Sequence, residues 1–346
     1  MTVYNGLPYL GSAIESVLAQ TAGEFEFLII DDHSTDGSVA CIRSYADPRI
    51  RLVRNDRNLG QAASLNLGLR LARSAYVARA DQDDESLPER LERQRRFLDS
   101  RSDIAVVGTL RYGMDAAGRR RSRLGRPLGG YGAFVGSLLL GDSPVAHPTV
   151  MFRRDAVTAA GGYDPAFAPA DDVQLWARLA RHRHGAGVIP ERLVLYREHA
   201  RQQSSAQATL QRRHWQRAQQ EFVAEFCPPA HVRRLALLLR RDDAVWHECR
   251  SKDDVLSMLR ALDDTLANAR ATLSLSPEEH GELVRLVFRR LGPGVRVAPR
   301  LSRYPSVLVF AAVFALSPLV APGVRRTLSR VARQSRRLRE RIGVGP

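Results

Sequence analysis

The sequence predicts an α/β protein, a mostly parallel sheet with helices on both faces followed by a helical C-terminal region. Three observations carry this. Short apolar runs alternate with helix-patterned segments through residues 1–110, the signature of strands linked by crossover helices. Two of those runs end in clustered aspartates, Asp31-Asp32 and Asp81-Gln82-Asp83-Asp84. Residues 203–290 carry helical spacing, with Leu235 to Leu239 and Val255 to Leu262 as the clearest apolar faces.

In chain order, Ile14, Val17 and Leu18 fall on one face of a helix over 13–18, and Phe25 to Ile30 form an apolar strand. Residues 38–45 suit a helix, Ile50 to Val53 a second strand, and Gln61 to Ala72 a third helix. Tyr76-Val77-Ala78 and Ile104 to Thr109 complete the strands. The Gly- and Arg-rich stretch 111–145, with Arg119-Arg120-Arg121, predicts loops, and order returns from His147 to about Arg197. The division expected is 1–202, 203–290 and 291–346.

Composition excludes several classes. Hydrophobic residues are 44% and charged residues 26% of 346, which rules out a largely disordered chain. Three scattered cysteines (Cys41, Cys227, Cys249) supply neither a disulfide framework nor a zinc site. Residues 1–20 lack a basic start followed by an apolar run, so no secretory leader is predicted. The net charge of +15 is concentrated at one end: residues 1–284 hold 38 basic and 36 acidic residues, whereas 285–346 hold 14 Arg and one Glu. This argues against a uniformly basic nucleic-acid surface and leaves polyanion binding open to the tail alone.

Residues 304–324 are uncharged and mostly apolar, near the length that spans a bilayer, but Pro305, Pro318 and Pro322 interrupt them and Arg flanks both ends. Beyond them Val324, Leu328, Val331, Leu338 and Ile342 recur at helical spacing among arginines. The pattern predicts contact of residues 300–341 with an anionic membrane surface, each Arg contributing about 1 kcal/mol. A buried helix followed by a solvated tail is the alternative.

The acidic clusters sit beyond the carboxyl ends of strands, where open α/β sheets bind ligands. Carboxylates at Asp31-Asp32 suit nucleobase or ribose hydrogen bonds, though strand-to-helix turns favour Asp regardless. Asp81 and Asp83, two apart, suit a hard divalent cation whose other positions take water and phosphate oxygens. Asp171-Asp172 open a helix, where the dipole alone favours acids.

Taken in order, Tyr4-Asn5-Gly6, Asp31 to Gly37, Arg57-Asn58-Leu59-Gly60, Asp81 to Asp84 with Ser86-Leu87-Pro88-Glu89-Arg90-Leu91, His147 to Arg153, Gly161-Gly162-Tyr163-Asp164 and Asp171 to Trp176 resemble the family 2 glycosyltransferases of GT-A fold over residues 1 to about 200. That resemblance implies a nucleotide-diphospho-sugar transferase. Asp81 and Asp83 match the family's D-x-D, with Asp83 the expected ligand of Mn²⁺ or Mg²⁺. Thr2, Tyr4, Asn5, Asp31, Asp32, Asn58, Gly60 and Asp81 fall on the donor side. His147, Asp171 and Trp176 fall on the acceptor side, and Asp172 matches the general base of an inverting single displacement. His199 matches a position near the donor phosphates, with a structural role equally open, as it is for His147.

Three departures accompany the match. Asp171 replaces a usual Glu, and Gln174 stands where Asp is frequent. Family members also open with an apolar strand, whereas only Met1-Thr2-Val3 precede Tyr4; the expectation is that the natural start lies upstream. The function expected is transfer from a nucleotide-sugar donor to a hydroxyl of a glycan or lipid-linked acceptor, at the cytoplasmic face of the cell membrane. A non-catalytic sugar-nucleotide or glycan-binding module of the same fold is the second reading. Nucleic acid is not an expected partner, because residues 325–346 contain no aromatic for base stacking.

Overall fold

The computed structural model describes residues 1–242, 244–248 and 252–291. The apolar segment and basic tail expected over 291–346, with the membrane contact expected of residues 300–341, lie outside the described residues except for Leu291. Contacts divide the chain into two units: Met1–Phe134 with Ser143–Ala218, and Val135–Asp142 with the chain from Gln219 onward.

The first unit begins with β1 (Thr2–Val3), α1 (Leu10–Leu18), β2 (Phe27–Asp31), α2 (Ser38–Arg43), β3 (Ile50–Arg54) and α3 (Gln61–Leu71). β1, β2 and β3 lie side by side in that order, all parallel, with Thr2 opposite Ile30 and Phe27 opposite Ile50. One face of this sheet is closed by Leu10, Ile14 and Val17 of α1, packed on Val3, Phe27, Ile29 and Ile42. These apolar positions of α1 share a face, so burial rather than propensity holds the helix.

β4 (Tyr76–Ala78), β5 (Glu85–Ser86), α4 (Arg90–Ser100), β6 (Ile104–Met114) and β7 (Arg120–Leu124) follow, then α5 (Tyr131–Leu139), β8 (Met151–Arg153), α6 (Arg154–Ala159), α7 (Asp171–Arg181) and β9 (Gly185–Arg197). A six-stranded sheet takes the order β4-β8-β6-β9-β5, with β7 beside β6. Here the expected parallel arrangement is tempered. β6 and β9 are parallel, but β8 runs against β4 and β6, β5 against β9 and β7 against β6. Leu98, Ile104, Val107, Met151 and Ile189 close its core.

Residues 111–145 are more ordered than their composition predicts. β6 continues to Met114, β7 pairs back onto it, and α5 follows. The hairpin is held by main-chain bonds, while the β7 side chains from Arg120 to Arg123 are exposed. Its outward arginines therefore resemble a solvated loop in sequence. Arg119 and Arg121 both pair with Asp115, at 3.0 and 2.6 Å.

After α8 (Gln203–Ala206) and α9 (Ala208–Ala224), which carries the chain from one unit into the other, the second unit is helical. Its elements are α10 (Val232–Arg240), α11 (Ala244–Glu248), α12 (Lys252–Thr272) and α13 (Pro277–Leu291). Leu235, Leu238, Leu239, Leu262, Leu266, Leu283 and Val287 are buried within it. Among the described residues, no helix is long and apolar enough to cross a membrane.

Candidate functional site

Residues expected on the donor side are gathered by the ends of the first three strands. Asp31, the last residue of β2, is completely buried; it accepts from the Ser34 N–H and pairs with Arg54 at 3.2 Å. Asp32 accepts from Asn55 Nδ2 (2.7 Å) and from the main-chain N–H groups of Leu59 and Gly60 (both 2.8 Å). Gly60 has φ +84°, a left-handed geometry natural only to glycine, and Asn58 Oδ1 accepts from its N–H as well. The Asn5 side chain accepts from the N–H groups of Thr35 and Asp36, tying the loop after β1 to the loop after β2. Tyr4 is exposed, its main chain held on both sides by the Gln82 amide. Thr2 lies in β1 opposite Ile30. Asp32 and Asn5 thus spend their oxygens in shaping the loops around them.

The second acidic cluster follows β4. Oxygens of Asp81, Asp83 and Asp84 lie within 4.8 Å of one another. Arg79, almost wholly buried, pairs with Asp81. Asp83 accepts from, or shares a proton with, His199 Nε2 at 2.9 Å. Asp84 accepts from the Arg197 N–H at 2.8 Å, and its Oδ2 is buried without a partner. The end of β9 clamps this loop further: the Arg197 guanidinium donates to the Asp83 carbonyl (2.9 Å) and to Glu85 (2.7 Å). The Tyr9 ring lies against both the Arg197 guanidinium and the His199 ring.

Burial and the neighbouring Asp81 and Asp83 push the Asp84 carboxyl well above its usual range, and burial raises Asp81 despite Arg79. Packed carboxylates of this kind are short of compensating positive charge. Three hard oxygen donors on one short loop, one of them an orphaned buried oxygen, fit Mg²⁺ or Mn²⁺ and do not fit a thiolate-preferring metal.

On the acceptor side, α7 begins at Asp171 and Asp172. Asp171 is buried with Oδ2 unpartnered, and burial raises its carboxyl. Burial, then the negative Asp171, pushes Asp172 up to about 7. The His147 imidazole, 2.9 Å from the Tyr163 hydroxyl, is driven well below its ordinary value by burial and by Arg79, and so is neutral. Trp176 is fully buried, edge-on to His147, so its ring backs the histidine instead of lying open on the surface. Gln174 accepts from Arg178 Nε at 2.8 Å, which places it in the helix's own network. The preceding Gly161-Gly162-Tyr163 turn is fixed by Asn66, which bonds both the Tyr163 N–H and its carbonyl; at Gly162 (φ +66°) a Cβ would stand 2.5 Å from Asn66 Oδ1.

Three participants were not singled out as site residues from sequence: Arg79, Asp84 and Arg197. Arg79 leaves a signal, a lone cation in the short apolar run Tyr76 to Ala80. It needs a buried anion beside it, and the nearest along the chain is Asp81. Asp84 and Arg197 depend on a pairing 113 residues apart in sequence, which spacing does not reveal.

Two acidic clusters at strand ends mark the candidate site, and comparison with known proteins gives its class. The profile of "Glycosyl transferase family 2" matches residues 1–160. EpsE of Bacillus subtilis, named as a glycosyltransferase, is 34% identical over 203 residues, covering 57% of this chain and 71% of its own. The amylovoran biosynthesis glycosyltransferase AmsE of Erwinia amylovora is 29% identical over 191 residues, 54% of this chain and 70% of that one. Among solved structures, S. aureus TarS 1-349 in complex with UDP-GlcNAc superposes with TM-score 0.53 at 15% identity, covering 96% of this chain and 90% of that one. The mannosyltransferase PcManGT of Pyrobaculum calidifontis, in complex with GDP-Man and Mn²⁺, gives 0.52 at 17% identity over 85% and 86%. These two share the fold. The chain belongs to glycosyltransferase family 2.

Proposed function

We propose that this glycosyltransferase transfers a hexose from a nucleoside diphosphate sugar to a hydroxyl of a cell-surface glycan or its lipid-linked precursor, with inversion at the anomeric carbon. The observation that carries the reading is the convergence of Asp81, Asp83 and Asp84 at the end of β4, in the same unit as a helix that opens on a carboxylate raised to about 7.

Asp31, Asp32 and the loops they shape, with Thr2, Tyr4, Asn5, Asn58 and Gly60, receive the nucleoside. Asp83 is the principal ligand for Mn²⁺ or Mg²⁺, with Asp81 and Asp84 completing the acidic wall and His199 orienting Asp83. A divalent ion bound there supplies Lewis-acid neutralisation of the departing diphosphate. Arg79 holds Asp81 in place and keeps a positive charge in the floor of the site. Asp172 is the base: its oxygen takes the proton of the acceptor hydroxyl as that oxygen attacks, and a value near 7 matches a base working at neutral pH. Asp171, with a free buried oxygen, and the neutral His147, backed by Trp176, offer hydrogen bonds to the acceptor.

Several relatives are named for succinoglycan, amylovoran, teichuronic acid and O-antigen biosynthesis, which supports a polysaccharide acceptor. The same reading places the enzyme at the inner face of the cell membrane, held by residues 300–341. Nucleoside diphosphate release from UDP-, GDP- and dTDP-sugars, with and without Mn²⁺, tests the activity. Metal-dependent release from one donor, abolished in Asp172→Asn, is expected. Release from none by folded protein supplied with bacterial surface glycans overturns the transferase reading in favour of a binding module.

A further inference from the structure

The run Ser86 to Leu91 has no part in the proposed chemistry, yet it holds a cation deep in the first unit. Arg90, the first residue of α4, is 2% exposed. Its guanidinium grips the loop that carries Asp81, Asp83 and Asp84 by both ends. One terminal nitrogen, Nη2, donates to the Arg79 carbonyl just past β4 (2.6 Å), and the other, Nη1, donates to the Ser86 hydroxyl in β5 (2.9 Å). The three aspartates all lie between these two anchors.

The remaining contacts of Arg90 brace it from behind. Nη2 also reaches the Val150 carbonyl at 3.3 Å, which accepts from the Arg79 N–H at 2.9 Å. Nε donates to Gln94 Oε1, one turn along α4, at 3.1 Å. Gln94 has no exposed surface, and its amide donates to the carbonyls of Thr149 (2.7 Å) and Val107 (3.0 Å). Thr149 closes the short 3₁₀ turn that begins at His147. Two side chains of one helix thus tie the acidic loop to β6 and to the His147 turn.

Among the described residues, no carboxylate accepts from Arg90. Burial and the like charge of Arg79 lower it to about 10, with Asp84 and Asp81 opposing, so it stays charged at neutral pH. A buried cation on neutral acceptors is costly, and an apolar chain of similar volume would fill the space at less cost. What only a guanidinium provides is a rigid fork that fixes two points of the chain at once. Arg197 holds the middle of the same loop through the Asp83 carbonyl and Glu85 and leaves its two ends to Arg90.

We propose that Arg90, braced by Gln94, is a positioning residue for the divalent cation: it sets the spacing of the loop's two ends and thereby brings Asp81, Asp83 and Asp84 within reach of one ion. The inference rests on reading that loop as the cation site. Arg90 acts on the ion only through the loop, as outer partners of metal ligands do.

The test titrates Mn²⁺ alone, followed by its electron paramagnetic resonance signal, into the parent chain, Arg90→Lys, Ser86→Ala and Arg153→Lys, with urea unfolding read on each. Lys keeps the charge but is a point donor that cannot span both anchors, so Arg90→Lys is expected to weaken Mn²⁺ binding about 10–100-fold. Arg153 supplies the control, since its guanidinium donates to the Leu98 and Ile104 carbonyls and not to the loop. Arg153→Lys is expected to lose stability with Mn²⁺ affinity unchanged. Should Arg90→Lys fail to fold, Ser86→Ala, which frees one anchor, decides in its place, with an expected weakening of about 2–10-fold. Parent-like Mn²⁺ affinity in the deciding variant overturns the proposal, and so does an equal loss in Arg153→Lys, which makes the effect one of stability. Absence of Mn²⁺ binding by the folded parent chain overturns the cation reading itself, and the proposal falls with it.

Discussion

In the proposed reaction Asp172 is the base on which turnover depends, and its environment sets a pH signature. Burial and the adjacent Asp171 charge raise its carboxyl to about 7. As a base it works only ionised, so the transfer rate should climb with pH through about 7 and level off above, and Asp172→Asn should lose about 10²–10⁴-fold in rate while still binding donor. A variant within a few-fold of the parent enzyme removes Asp172 from that role. The same shift has a stability consequence of opposite sign. The folded state holds this proton more tightly than the unfolded chain, so the contribution is present below about pH 4 and is lost as pH rises through about 7. Arg79 is the other decisive residue. Replacing it by Met leaves Asp81, Asp83 and Asp84 without their buried cation, and a loss of about 3–5 kcal/mol in urea unfolding is expected. A loss below 1 kcal/mol would show that water already compensates the cluster.

Elements place these residues through features that local sequence carries unequally. The loop before α3 works because Gly60, at φ +84°, turns its N–H onto Asp32. Nothing lies within 4 Å of a Cβ built there, so Gly60→Ala costs only backbone strain, about 1–2 kcal/mol. Weakened nucleotide binding should accompany that cost; unchanged melting and binding would show that the loop tolerates another geometry. Helices α1 to α3 and strands β2, β3, β4 and β6 were legible from their apolar patterning, as in Ile14 and Val17. β5 and α4 were not, because a two-residue strand and an Arg-rich helix that buries mainly Arg90, Gln94 and Leu98 carry no clear apolar period. The Asp31 and Asp81 clusters were legible because strand ends concentrate polar groups that the sheet cannot absorb. The β7 hairpin was not, since backbone bonds hold a strand whose side chains are all outward. Nor was the clamp of Arg197 on Asp83, Asp84 and Glu85, which exists only once β9 returns beside β5. The mixed direction of the larger sheet was equally hidden, because strand polarity is decided by which strands meet and not by their composition.

At the scale of the whole molecule, charge is divided unevenly. Residues 1–284 are nearly neutral, while 285–346 carry 14 Arg against one Glu. Removing residues 292–346 should abolish sedimentation with vesicles rich in anionic lipid, and raised salt should weaken the intact chain's binding in the same assay. Equal sedimentation of both chains would place the tail's function elsewhere. The catalytic proposal itself rests on a nucleotide site that depends on a divalent cation held by the loop after β4. Calorimetry with UDP, GDP, dTDP and CDP, with and without Mn²⁺, on the parent protein and on Asp83→Asn addresses it most directly. A metal-dependent transferase binds one of these nucleotides only with Mn²⁺, loses that binding in Asp83→Asn and keeps it in Asp172→Asn. Binding of none by folded protein, or binding indifferent to both Mn²⁺ and Asp83, would contradict it.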